Sequence, residues 1–274
     1  MNFMSIISTL VTIAFLGYLY WRMVKRELPQ PVGAMQALLP IALGLLSHPL
    51  TLPFSMAYIK SQAASGTALK LSELSFAQSL GRSFIVAGGL EEIAKLVLII
   101  VVLLVFRGKV KNVYEYVLIG ACVGFGFSII EEFSYGADDA SVFSTVMRMI
   151  SVPAHMTFSM IMAEFLGRAK YSKLTGKGSA ALGYVLAAVI PMVVHTLYDA
   201  CTAFNPDLVK GEMAGIVKAL IGYVGLMAYE IVVLIRFKKK TRQLCEMSLL
   251  RGDTSVESAQ SGTNVNCPDK GYSK

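Results

Sequence analysis

Two adjacent carboxylates and an ammonium, Glu91, Glu92 and Lys95, stand inside the apolar run 83–106. A charge at mid-bilayer costs roughly 2.5–3.5 kcal/mol even on a lenient insertion scale, so three within five residues demand a reason. Lys95 is four residues from Glu91 and three from Glu92, and can reach either carboxylate on one helix face. Such a pairing keeps one glutamate ionised and leaves the other with a higher proton affinity, the arrangement that general-base activation of water uses. Later apolar runs carry more ionisable groups: Glu131 and Glu132, then His155, then His195 and Asp199. The last two are four apart, so the carboxylate can orient or charge the imidazole, or both can point at a common partner.

The elements that must position these residues are membrane helices. Of 274 residues, 55% are hydrophobic and only 16% charged, with a mean hydropathy of +0.60, too apolar for an ordinary soluble domain. The net charge of +7 sits in short clusters at the ends of apolar runs, as the positive-inside rule requires, which argues against a nucleic-acid partner. Cys122, Cys201, Cys245 and Cys267 show neither CxxC nor zinc-finger spacing. The apolar runs predict an all-α polytopic bundle in the lipid bilayer, with about seven transmembrane helices at 5–20, 32–59, 83–106, 113–133, 142–166, 179–204 and 214–235.

Local signals refine this picture. Pro40, Pro49 and Pro53 predict a kinked or irregular second helix, with His48 filling a hydrogen-bond gap beside Pro49 or, as the lesser reading, serving a site. Ser75 and Gln78 fit a capping box that starts the third helix early, and the apolar residues of 60–82 fit a short surface helix. Counting Lys and Arg gives 15 on the side of 22–32, 107–112, 167–178 and 236–242, against 4 on the other. The amino terminus is therefore expected outside and the carboxyl terminus in the cytoplasm. Residues 1–242 form the membrane domain, and 243–274, rich in Ser, Gly, Asn and Asp, read as a disordered tail.

From the rise of about 1.5 Å per residue, Glu91 and Glu92 lie about 12 Å below the outer surface. Glu131, His155, His195 and Asp199 lie at mid-depth or above it, so four helices converge on one level. Gly120, Gly124 and Gly126 permit the close helix approach that a packed intramembrane site needs. Glu132 reads as a headgroup-facing carboxylate, Glu164 and Glu230 as carboxylates near inner helix ends that reach water, and Arg148 as a structural partner of Asp138, Asp139 or Glu131.

Three motifs occur in order on successive apolar segments: EExxK at Glu91 to Lys95, FxxxE at Phe127 to Glu131, and HxxxD at His195 to Asp199. The ordered set resembles the PrsW family of bacterial and archaeal intramembrane proteases, distantly similar to the CAAX prenyl endopeptidases and their Abi relatives. His155 falls where the family usually has a further histidine, and the resemblance covers roughly 83–204. It implies a multi-pass protease of a prokaryotic cytoplasmic membrane that hydrolyses a single-span membrane protein, typified by site-1 cleavage of an anti-sigma factor in envelope-stress signalling. Carried over, Glu91 activates water with Glu92 as partner or substitute, and His195 polarises the carbonyl or protonates the leaving amine. Asp199 stands where the CAAX relatives have asparagine.

Glu131 stands where those relatives have histidine, and a carboxylate there repels a developing oxyanion unless it is protonated or bound to a metal. That departure opens a metal version of the mechanism. Glu131, His155 and His195 form a ligand set suited to a catalytic divalent metal such as zinc, with Glu91 as the base beside it. No HExxH is present. The residues fit both a metal-dependent and a metal-free version, with either Glu91 or Glu92 as holder of the water. A serine mechanism through Ser128 or Ser159 ranks lower. Two non-enzymatic readings are a scaffold of the same fold without catalysis and a transporter, though no repeats relate the two halves.

Overall fold

A computed structural model of the chain describes residues 3–27, 33–67, 69–135 and 150–250. No strand occurs among the described residues; Asn112 and Ser248 form an isolated antiparallel bridge. Nine α-helices are described: α1 (Phe3–Val24), α2 (Ala34–Ala64), α3 (Phe76–Ser83), α4 (Leu90–Val105), α5 (Val113–Tyr135), α6 (Ala154–Thr175), α7 (Ala180–Cys201), α8 (Pro206–Val209) and α9 (Met213–Glu246). The all-α architecture agrees with the apolar runs. Among the described residues, five helices are long and apolar enough to cross a membrane: those within 6–24, 34–64, 113–134, 180–209 and 213–246. The helices that carry Glu91 and His155 fall short of that measure. α4 has only 16 residues, and α6 carries Glu164, Arg168, Lys170 and Lys173.

α5 runs through the centre of the bundle. No charged residue occurs between Tyr116 and Ile130, and side chains on every face of it are buried, as expected of a helix that is apolar all round. It packs against α1, α2 and α6. Gly124 sets the α5–α6 distance, because a Cβ there would lie 2.6 Å from the Met156 Cα. α1, α2, α7 and α9 instead turn large apolar side chains outward, Leu38, Val185 and Leu220 among them, as lipid-facing helices do.

Caps define several ends. The Ser75 side chain accepts from the Gln78 N–H and the Gln78 side chain accepts from the Ser75 N–H, which is the expected capping box. Such a cap contributes about 1 kcal/mol. The segment before it holds a single 3₁₀ turn, Leu71–Glu73. α2 remains continuous through Pro40, Pro49 and Pro53, while Ser47 and Thr51 donate to the carbonyls of Gly44 and His48.

Four expectations need correction. The packed structure continues past residue 242: α9 extends to Glu246, and the Leu249 N–H donates to the Lys111 carbonyl at 2.7 Å. Glu164 does not reach water; it is fully buried and accepts from Arg168 Nε at 2.6 Å and from Arg236 Nη2 on α9 at 2.7 Å. Glu230 is 4% exposed, with Oε1 unpartnered. Glu132 faces inward and accepts a 2.6 Å hydrogen bond from Ser8 Oγ of α1. The expectations for Asp138, Asp139 and Arg148, and for the tail beyond 250, fall outside the described residues.

Candidate active site

A π-helical turn at Phe84–Gly88 joins α3 to α4, with the Gly89 N–H donating to the Phe84 carbonyl at 2.7 Å. Turns of this kind recur at functional sites, because the extra residue changes which face the following helix presents. Here the turn is pressed against α7. A Cβ on Gly88 would lie 2.7 Å from the Thr196 N, and Ser83 Oγ donates to the Thr196 carbonyl at 2.9 Å. Glu91 and Glu92, in the first turn of α4, are thereby held opposite His195. On the other side, the approach of Gly124 to the His155 backbone brings the start of α6 up to α5, one turn from Phe127 and two from Glu131.

The polar groups form one connected cluster. Glu92 and Lys95 are both completely buried, and Lys95 Nζ donates to Glu92 Oε1 at 2.5 Å. The same oxygen accepts from His195 Nδ1 at 2.8 Å. The opposite edge of that imidazole, Nε2, lies 3.3 Å from Asp199 Oδ2 and 3.9 Å from Glu91 Oε2. His155 is bracketed likewise, with Nδ1 2.9 Å from Lys95 Nζ and Nε2 2.6 Å from Glu131 Oε2. The two imidazole centroids are 5.2 Å apart. All seven residues expected from the sequence meet within this cluster.

Aromatic rings wall the cluster. Phe127 lies 4.4 Å from the His155 ring and 4.4 Å from Lys95 Nζ, and Phe158 stacks on His195 at 5.3 Å. By keeping water out, such walls lower the local dielectric and strengthen every charge interaction inside. Among the site carboxylates Glu92 is sealed, whereas the Glu131 side chain is 19% exposed.

Residues 34–233 match the model of the PrsW family, described as intramembrane metalloproteases. The chain belongs to this family. No match was found among curated proteins or among solved structures. The PrsW match extends well beyond the three motifs, taking in α2 and most of α9. Intramembrane proteolysis, a hydrolysis whose substrate is a membrane protein, is the activity class of the PrsW family, and a multi-pass membrane protein is what the apolar helices form.

The residues present fit the metal that the family description names. Among the described residues, Glu91, His155 and His195 each offer a ligand atom within 4.8 Å of the others. Glu91 Oε2 is buried without a hydrogen-bond partner. Tetrahedral donors at about 2.1 Å from a zinc ion stand roughly 3.4 Å apart, so a modest inward shift closes the set. His195 also carries the usual orienting partner of a metal-bound histidine: Glu92 takes its Nδ1–H and leaves Nε2 facing the other donors. Glu131 is bonded to His155 but does not belong to this mutual group of three.

Two further residues border the site; the sequence offers a site role for His48 only as the lesser reading and none for Tyr229. The His48 ring meets Phe127 edge-on at 5.7 Å and interacts electrostatically with Glu131. Its Nδ1 is buried without a partner. Tyr229 of α9 packs on Phe158 at 5.5 Å and interacts with Glu92. His48 was detectable as the third of only three histidines in the chain, whereas Tyr229 carries no distinguishing local pattern.

Proposed function

We propose that this PrsW protein is an endopeptidase of the prokaryotic cytoplasmic membrane that cuts a single-span membrane protein near its extracytoplasmic end. Site-1 cleavage of an anti-sigma factor in envelope-stress signalling is the physiological reading; the distribution of basic residues supports a cut near the extracytoplasmic end, since it leads us to expect the cluster in the outer half of the bilayer. The observation that carries the mechanism is the orphaned, buried Glu91 Oε2 gathered with two imidazoles. It favours Glu91, His155 and His195 as the residues that would hold the metal. When bound there, the metal supplies Lewis-acid polarisation of the scissile carbonyl and a nucleophilic water.

Each remaining residue then has a distinct task. Glu131, the most open of the site carboxylates, accepts the proton of the attacking water and returns it to the departing amine as the carbon–nitrogen bond breaks. Glu92 holds the His195 ring by its Nδ1–H, and Lys95 balances the charge of Glu92. Asp199 sits against the other edge of His195 and limits its rotation. Glu91 and Glu131 thus exchange the roles that the motifs alone assign them.

Metal content and cleavage, measured together on purified protein with a single-span reporter, test this division. Glu91→Gln is expected to lose both metal and cleavage. Glu131→Gln is expected to keep its metal and lose cleavage by about 10²-fold or more. Metal lost from Glu131→Gln and retained in Glu91→Gln would restore the original assignment. A wild-type protein that cuts no member of a panel of single-span substrates points to a scaffold instead.

A further inference from the structure

On the basic side of the bundle, lined by none of the seven catalytic-cluster residues, a cavity of about 200 Å³ opens between α1 and α9. Its floor and walls include Tyr114, Met160 and Leu234, and its rim carries Arg22, Arg26 and Lys238. No carboxylate lines it. Tyr114 is almost completely buried and its hydroxyl donates to the Met23 carbonyl at 3.0 Å, so the floor is fixed. Beside the rim, Tyr18 and Trp21 form an aromatic pair with centroids 6.1 Å apart, and Lys25 caps the Trp21 ring at 4.1 Å. Tryptophan and tyrosine of this kind settle at headgroup level in a bilayer. The level of the cavity is therefore that of the lipid phosphates, with an apolar slot below it and three cations above.

We propose that this cavity is a binding site for one anionic phospholipid, whose phosphate meets Arg22, Arg26 and Lys238 while an acyl chain fills the apolar slot between α1 and α9. Basic pockets between transmembrane helices select such headgroups, and each cation near the surface adds severalfold to the preference over a zwitterionic lipid. A diffuse basic surface would attract the same lipids. One feature distinguishes the site from it: the cations line a single walled slot, Arg22 from α1, Arg26 from just past its end and Lys238 from α9.

Trp21 is the only tryptophan in the chain, which makes quenching by brominated lipid a local reporter. Full-length protein would be placed in phosphatidylcholine vesicles containing equal amounts of phosphatidylglycerol, with bromine on one lipid or the other. Brominated phosphatidylglycerol should quench Trp21 with an apparent preference of roughly tenfold or more over brominated phosphatidylcholine. The triple variant Arg22→Gln/Arg26→Gln/Lys238→Gln should bring that ratio close to one. Lys109→Gln/Lys177→Gln/Lys239→Gln, which removes the same charge elsewhere on the basic side, should leave it unchanged. Should the triple variant fail to fold, Arg22→Gln alone, at an exposed position that bonds Tyr18 Oη, should lower the ratio severalfold. An unchanged ratio in the rim variants, or an equal loss in the control, would overturn the proposal. So would inorganic phosphate that raises the melting temperature in detergent as much as phosphatidylglycerol does.

Discussion

Glu92→Gln separates the structural from the chemical duty of the buried cluster. The substitution keeps shape and removes one charge from a group that faces Lys95 Nζ at 2.5 Å and His195 Nδ1 at 2.8 Å. At an effective dielectric near 20, the first contact alone amounts to about 7 kcal/mol of gross Coulomb energy. Desolvation offsets most of this in the intact pair, but removing one partner strands the other charge and costs roughly 3–5 kcal/mol. Lys95→Met should cost a similar amount by stranding Glu92. In the double variant no buried charge is stranded, so its loss of stability should fall short of the sum of the single losses by about 2 kcal/mol or more. Cleavage behaves differently, because in both Glu92 variants a neutral amide oxygen replaces the carboxylate that accepts the His195 Nδ1–H. Mutation of such an orienting partner costs roughly 10–100-fold in metal affinity or activity, and Lys95→Met cannot restore the missing charge. Denaturant unfolding in micelles, with metal content and reporter cleavage on the same samples, gives all three numbers. Additive losses of stability, or recovered cleavage in the double variant, would refute the reasoning.

Two further outcomes follow from the packing and from the residues that follow α1. Gly124→Ala should destabilise the protein and abolish cleavage, since the new methyl group meets the His155 backbone, whereas Gly225→Ala, with open space around it, should be neutral or stabilising by about 1 kcal/mol in thermal unfolding. Glu27, just beyond the end of α1, is held protonated up to about 9 by its burial first and then by the neighbouring Glu115 carboxyl, against an ordinary value of 4.5. Between those values the folded state binds more protons than the unfolded chain, so this group makes stability fall as pH rises from about 4.5 to 9. Glu27→Gln should therefore melt close to wild type at the acid end of that range and progressively above it toward the alkaline end.

Much of this was legible in the sequence because a bilayer leaves few choices. Apolar runs had to be helices, and the capping box at Ser75 and Gln78 marked where α3 begins. Costly charges at matched depth had to face one another, and Glu91, Glu92, Lys95, Glu131, His155, His195 and Asp199 do meet. What escaped were features set by neighbours distant in the chain. The π turn at Phe84–Gly88 is held where Gly88 abuts Thr196. His48 turns toward the site because Gly44 and Gly126 let α2 lie against α5. Glu132 turns inward because Ser8, 124 residues away, supplies a donor.

That last contact has a consequence for where the molecule begins. Family likeness starts at residue 34, after α1 has ended. Yet Ser8 of α1 bonds the residue next to Glu131, and Leu16, on the same helix, is completely shielded by the rest of the bundle. The stretch that relatives share and the stretch that must fold together are thus different lengths of chain. A version cut at the edge of the shared part would take the Ser8 donor from Glu132, about one and a half helical turns from His155's partner Phe127, and open the side of α5 that α1 now closes. Inheritance and cooperativity draw different borders around the same catalytic centre.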